Sequence, residues 1–377
     1  MRKLLFYTLL GSLAIGEGFA SDPISSKILQ TNNWAFYGTE NPRVKLSLSN
    51  NRKVDDTFDI KCEIRDFLGN SLYDISQSGN LGPLDSTLLS FSFKTLQPGF
   101  YNVLFYDGDR FLKKVNVAKE PEKIGDAIQE HLAAKGGNKD FVYLANIVAL
   151  QRRELRPQYS ILRNKDLSGK EKNVYNFSMV SRGDEKVEGY IAFPKGKKAL
   201  QLILTVVPLE ERMANPLADF TAPAESAEMV VYLKQRGAGE EMLKNILTDM
   251  LLCIDYVKMR PEINPNAIYV QGKGYGAACA LVASALDNGV KGSFAESPQL
   301  DIFTQTYSIE SIASHISSPV LIGTGLQREP YQLQEIFSIY NKVSAPKEYF
   351  VIPDSNIIPR DRWKYIRDVF ILRTREE

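Results

Sequence analysis

Cysteine and histidine are scarce in this sequence, with three of the first and two of the second among 377 residues. Three cysteines (Cys62, Cys253, Cys279) are too few and too far apart for a disulfide framework, so side-chain packing has to hold the chain together. Two histidines far apart in sequence, His131 and His315, make no zinc-ligand pattern, and no cofactor is implied by any motif. There is no excess charge of one sign, 46 Lys and Arg standing against 45 Asp and Glu, so the chain lacks the broad basic field that nucleic acid requires. Beyond the first residues no apolar run approaches the ~20 residues a bilayer span needs. The first residues do carry one apolar stretch: Met1-Arg2-Lys3 precedes Leu4 to Ile15, and Gly18-Phe19-Ala20 closes it before Ser21. That order of positive end, short apolar run and small residue reads as a secretory signal over 1–20, cleaved after Ala20. The expectation is an exported chain, periplasmic or extracellular, with no membrane span in its mature form.

The mature sequence divides by periodicity. From residue 21 to 118 apolar and polar residues alternate in short runs such as Val44-Lys45-Leu46-Ser47-Leu48 and Phe58-Asp59-Ile60-Lys61-Cys62. Period two marks half-buried strands, and turns such as Gln97-Pro98-Gly99 and Asp107-Gly108-Asp109 separate them at the spacing of an immunoglobulin-like β-sandwich. Trp34, Phe36 and Tyr37 near its start are read as core rather than as a sugar-stacking platform. Residues 119–170 turn to helical spacing and are read as a helical linker region that contains His131. From 171 to 377 strand-like and helical runs alternate, the signature of a largely parallel sheet covered by helices. Strands are expected near 173–181, 187–193, 200–207, 229–233, 267–271, 292–295, 320–324 and 348–352. The strongest helix spans Glu240 to Lys258.

One segment carries most of the functional information. Ala267-Ile268-Tyr269-Val270-Gln271 is a strand, Gly272-Lys273-Gly274-Tyr275-Gly276 a glycine-rich turn, and Ala277-Ala278-Cys279-Ala280-Leu281 a small-residue helix. This is the setting of a nucleophile elbow, in which small residues flank a strained apex whose side chain attacks the substrate. Here the apex is Gly274, which offers no nucleophile. The turn lacks the Lys-Ser/Thr ending of a phosphate-cradling loop. Cys279 is read as a buried, inert thiol and His315 as structural, because it lies at the amino end of its strand.

From Asn173 to Arg373 the chain resembles the acetyl xylan esterase and cephalosporin-C deacetylase family of α/β hydrolases. The segments that carry the resemblance are Gln235-Arg236-Gly237-Ala238-Gly239, Ala285-Leu286-Asp287 with Val290-Lys291-Gly292, Ile322 to Arg328, and Tyr340 to Glu348. The resemblance implies an α/β-hydrolase fold and places that family's serine at Gly274, its aspartate at Arg328 and its histidine near Ile357. The family's oxyanion region falls on Val207-Pro208-Leu209-Glu210, where Pro208 has no backbone N–H to give. All three catalytic positions are thus degenerate, and triad members act as a unit.

Three readings follow. The first is an inactive esterase-like protein that binds a ligand, acetylated carbohydrate by resemblance alone, or contacts another exported protein. Its pocket would be lined by Tyr275, Arg236, Arg328 and Gln327, and the charge of Arg328 would favour an acidic or carboxylate-bearing ligand. The second is a working carbohydrate esterase whose nucleophile has moved to Ser293, Ser297 or Ser355, although neither histidine is placed to serve it. The third is a structural scaffold, in which that pocket is filled.

Overall fold

The computed structural model describes residues 23–29, 34–94, 96–182, 185–212 and 220–376. The signal expected over 1–20 lies outside them. The chain resolves into two compact units, the first Met1–Gly125 with Gly325–Phe337 and Val351–Asn356, the second the remainder.

Among its described residues the first unit holds eight strands: β1 Ile24–Leu29, β2 Ala35–Phe36, β3 Arg43–Asn50, β4 Asp56–Arg65, β5 Ser71–Leu81, β6 Ser86–Ser92, β7 Gly99–Asp107 and β8 Arg110–Lys119. They form a three-stranded sheet, β1-β3-β6, and a five-stranded one, β2-β8-β7-β4-β5. Pairing is antiparallel throughout except between β2 and β8. The alternation seen in sequence sets which face is inward: Val44, Leu46 and Leu48 of β3 are buried, as are Ile60, Cys62 and Ile64 of β4. Phe91 of β6 meets Phe105 of β7 edge to face at 5.5 Å, joining the apolar faces of the two sheets. Trp34 and Phe36 are buried, so they belong to the core.

The second unit opens with helices α1 Ala127–Ala134 and α2 Phe141–Glu154 and then β9 Gln158–Asn164. The stretch expected as a helical linker therefore also gives a strand, which pairs with β10 and forms the edge of a nine-stranded sheet. That strand was hidden because its polar residues, half exposed at a sheet edge, do not show the apolar alternation of a buried one. The remaining strands are β10 Lys172–Arg182, β11 Glu185–Pro194, β12 Leu200–Pro208, β13 Ala227–Leu233, β14 Ile263–Lys273, β15 Val290–Glu296, β16 Val320–Gly325 and β17 Lys347–Ile352. Helices α3 Gly239–Lys258, α4 Gly274–Leu286, α5 Asp301–Thr304, α6 Ile309–His315, α7 Pro330–Lys342 and α8 Arg360–Glu376 alternate with the later strands. The sheet order is β17-β16-β15-β14-β12-β13-β11-β10-β9. From β12 to β16 neighbours are parallel, while β9, β10 and β11 form an antiparallel flank. Leaving out β9, the strands from β10 onward stand in the order 1-2-4-3-5-6-7-8, which is that of an α/β-hydrolase sheet.

Two polar knots fasten the helices to this sheet. Asp287, which caps α4, accepts hydrogen bonds from Arg152 of α2 at 2.6 Å, from Lys258 of α3 at 2.9 Å and from the backbone N–H of Gly289 at 2.7 Å. Burial alone would raise its pKa, but Lys258 and Arg152 outweigh that and hold the carboxyl below its ordinary value. In the second knot, Glu228 of β13 and Arg367 of α8, both fully buried, both bind Thr221. Glu228 accepts from the N–H groups of Thr221 at 2.6 Å and Ala222 at 2.9 Å, and Arg367 donates to the Thr221 carbonyl at 2.7 Å and to the Gln271 side chain at 2.9 Å. Burial pushes the Glu228 carboxyl up, and the two backbone N–H groups pull it back in part. The knot anchors the crossover from β12 to β13 beside the strand that leads to the glycine turn.

Candidate functional site at the glycine turn

β14 is buried from Ile268 to Gly272 and runs straight into α4, with Lys273 as the hinge between them. The sharpness of this turn dictates its composition. A Cβ on Gly272 would stand 2.2 Å from the carbonyl carbon of Gly276, and one on Gly276 would stand 2.2 Å from the carbonyl oxygen of Val206 on β12. Neither neighbour is the end of a flexible side chain, so both positions exclude every residue but glycine. Between them Gly274 has φ +53, the left-handed conformation of an elbow apex. Among the described residues only the carboxamide of Gln299 comes within 4 Å of where its Cβ would be, at 3.8 Å, and the Gln299 N–H donates to the Gly274 carbonyl at 3.0 Å. The apex therefore has room for a side chain and carries none.

The groups around the apex are poor in chemistry. Tyr275, immediately after it, has its ring buried at 4% exposure beside Cys279. Burial raises the phenol's pKa far beyond its ordinary value and pushes the fully buried Cys279 thiol up to about 12, which leaves no thiolate at neutral pH. The exposed Lys273 pairs with the buried Glu296 at 3.5 Å. Pro208 ends β12 and starts a single 3-10 turn, Leu209–Glu211, contributing no N–H at the place where the resemblance sets an oxyanion region.

Two of the three serines that could be displaced nucleophiles are buried. Ser293 is fully buried on β15 and accepts from the Ser284 hydroxyl at 3.4 Å. Ser297 is buried at 2% exposure with φ +51, its N–H held by the Gly323 carbonyl at 2.6 Å. Ser355 belongs to the first unit, where its carbonyl accepts from the Gln327 N–H at 3.0 Å. His315 ends α6, with its Nδ1 2.7 Å from the Ser311 carbonyl and its ring edge to face with Phe141 at 5.6 Å. His131 sits in α1.

The residues expected to line a pocket are placed in different units. Arg236 is 9% exposed in the second unit, facing Asp249 at 3.5 Å and donating to the Lys186 carbonyl at 3.1 Å. Gln327 and Arg328 fall in the first unit. Gln327 donates to the Pro353 carbonyl at 2.7 Å and accepts from the Asn116 N–H at 2.8 Å, and Arg328 donates to Gln332 at 3.0 Å. Ile357, in the second unit, is exposed at 56%. The first unit has a shallow cavity of about 230 Å³, lined by Ile24 and Ser26 of β1 and by Arg110 and Lys113 of β8. Among the described residues no three His, Cys, Asp or Glu side chains gather as metal ligands, and no helix is long and apolar enough to cross a membrane.

The strand order of the second unit and the glycine turn between β14 and α4 give it an α/β-hydrolase-like fold. The acetyl xylan esterase from Paenibacillus sp. R4 superposes with a TM-score of 0.55 at 16% identity, over 63% of this chain and 95% of that one. Acetyl Xylan Esterase 1 from Thermoanaerobacterium sp. JW/SL YS485 gives 0.54 at 15% identity, over 66% and 97%. Those identities carry a likeness of fold and not of activity. No family model matches the chain, and no curated protein matches it in sequence.

Proposed function

We propose that this chain is an exported, esterase-like protein without hydrolytic activity, in which the elbow region serves binding. The observation that carries the reading is the apex itself: Gly274 holds the backbone of a nucleophile position with nothing to attack a carbonyl. The buried Ser293 and Ser297, the proline at 208 and the inert Cys279 add to it, since none supplies a substitute nucleophile or oxyanion donor. On this reading Arg328 and Ile357 occupy the positions of the lost acid and base. The ligand is an acetylated carbohydrate, by likeness to proteins named acetyl xylan esterases, or another exported protein. The two-sheet arrangement of the first unit supports an immunoglobulin-like module.

The test is hydrolysis of a generic acetyl ester by the full chain and by Gly274→Ser, together with labelling by a serine-reactive phosphonate. Neither protein is expected to turn over substrate, because a serine at 274 would still lack a base. Turnover or labelling of the unaltered chain would overturn the reading. Retention on acetylated xylan but not on its deacetylated form would identify the carbohydrate arm, and no retention would favour the protein partner.

A further inference from the structure

At Asn116 the edge of β8 is paired by a side chain. Among the described residues β2 pairs with β8 only at Ala118 and Lys119. There the Asn116 N–H, which points away from β7, donates to Gln327 Oε1 at 2.8 Å, while Gln327 Nε2 lies 3.4 Å from the Asn116 carbonyl. The carboxamide of Gln327 thus pairs with the Asn116 peptide in both directions, as a neighbouring strand would. Asn116 answers with its own carboxamide, which donates to the Leu326 carbonyl at 3.0 Å and to the Arg328 carbonyl.

The same glutamine ties two turns together. Gln327 Nε2 also donates to Pro353 at 2.7 Å, its N–H donates to Ser355 at 3.0 Å, and the Leu326 N–H donates to Ile352 at 2.8 Å. A Cβ on Gly325 would stand 2.3 Å from the Ser355 carbonyl oxygen, so the turns after β16 and β17 are pressed backbone to backbone. The contact continues along α7. The Phe100 ring meets Phe337 at a tilt, 5.1 Å between centroids, and its N–H lies 3.4 Å from Gln334 Oε1, while Phe67 meets Tyr331 at 6.5 Å.

We propose that Gln327 is the splice that joins these two turns to the edge of β8 at Asn116, so that the β-sandwich and the segments 325–337 and 351–356 open as one cooperative unit. The turn that bears Arg328 is then a docking face for the sandwich. This holds whether or not the elbow is catalytically silent.

Hydrogen exchange of the full chain, read on peptides covering 110–119, 325–337 and the β14–α4 segment, tests it. Gln327→Glu keeps the shape but removes the N–H group that faces the Pro353 and Asn116 carbonyls. It is expected to speed exchange at 110–119 and 325–337 together by roughly 10- to 100-fold, leaving β14 and α4 unchanged. Gln327→Ala should give the same pattern at about tenfold and serves if the glutamate variant does not fold. Lys114→Ala, which removes only the exposed ion pair with Glu329, should change neither. Acceleration of 325–337 with no response at 110–119, or in step with β14, would overturn the proposal.

Discussion

Replacing Gly276 by alanine tests the elbow geometry most directly. The added methyl would overlap the Val206 carbonyl oxygen at 2.2 Å, and that carbonyl belongs to β12, a strand buried between β13 and β14. Relief requires α4 to lift from the sheet or β12 to shift, and overpacking of this kind costs about 3 kcal/mol or more. Gly274→Ala is the matched comparison. Its methyl meets nothing closer than Gln299 at 3.8 Å, so only the left-handed backbone at φ +53 is charged against it, about 1 kcal/mol. The difference of about 2 kcal/mol corresponds to roughly a 30-fold change in the folding equilibrium. For a unit of this size it separates the two melting temperatures by about 4–8 °C. Denaturant unfolding followed through Trp363, in the second unit, supplies the assay, with m-values compared so that only stability differences are read. Equal losses, or a larger loss for Gly274→Ala, would refute the account of why the turn reads Gly-Lys-Gly-Tyr-Gly.

Asp287→Ala leaves Arg152 and Lys258 without their shared carboxylate and should cost about 3 kcal/mol in the same assay. Because the Asp287 pKa is lowered on folding, its stabilisation is present above its ordinary value of 3.8 and is lost as the pH falls through and below that value, so the variant should lose less stability than the parent on acidification. The cysteines give a rapid check of packing: Cys62, Cys253 and Cys279 are all buried, and burial raises each thiol's pKa. Native protein at pH 8 should therefore resist an aromatic disulfide reagent that labels three thiols per chain in denaturant. Rapid labelling of the native chain would contradict the buried positions.

The local patterns were legible wherever burial imposes a period. The strand expected at 200–207 is β12, the helix expected from Glu240 to Lys258 is α3 with one residue more, and the glycine turn stands between β14 and α4. Strand β9 was not legible, since an edge strand with polar residues on an exposed face looks like a loop. The resemblance groups Tyr275, Arg236, Arg328 and Gln327 by where the backbone runs, and each side chain's direction is set by its own neighbours. Tyr275 turns inward beside Cys279, and Arg236 turns to Asp249.

What the sequence determined by itself is the set of local obligations: alternation that makes two-sided strands, apolar runs that make a buried parallel sheet, and three glycines that permit one sharp turn with nothing at its apex. Those depend on backbone sterics and on neighbours a few residues away, so they can be read along the chain. Only the tertiary structure decided the partners of Gln327, because Asn116 lies 211 residues earlier and Pro353 lies beyond α7 and β17. An amide that completes a strand edge has the same sequence as one that faces solvent, and which of the two it is depends on what the rest of the chain brings beside it.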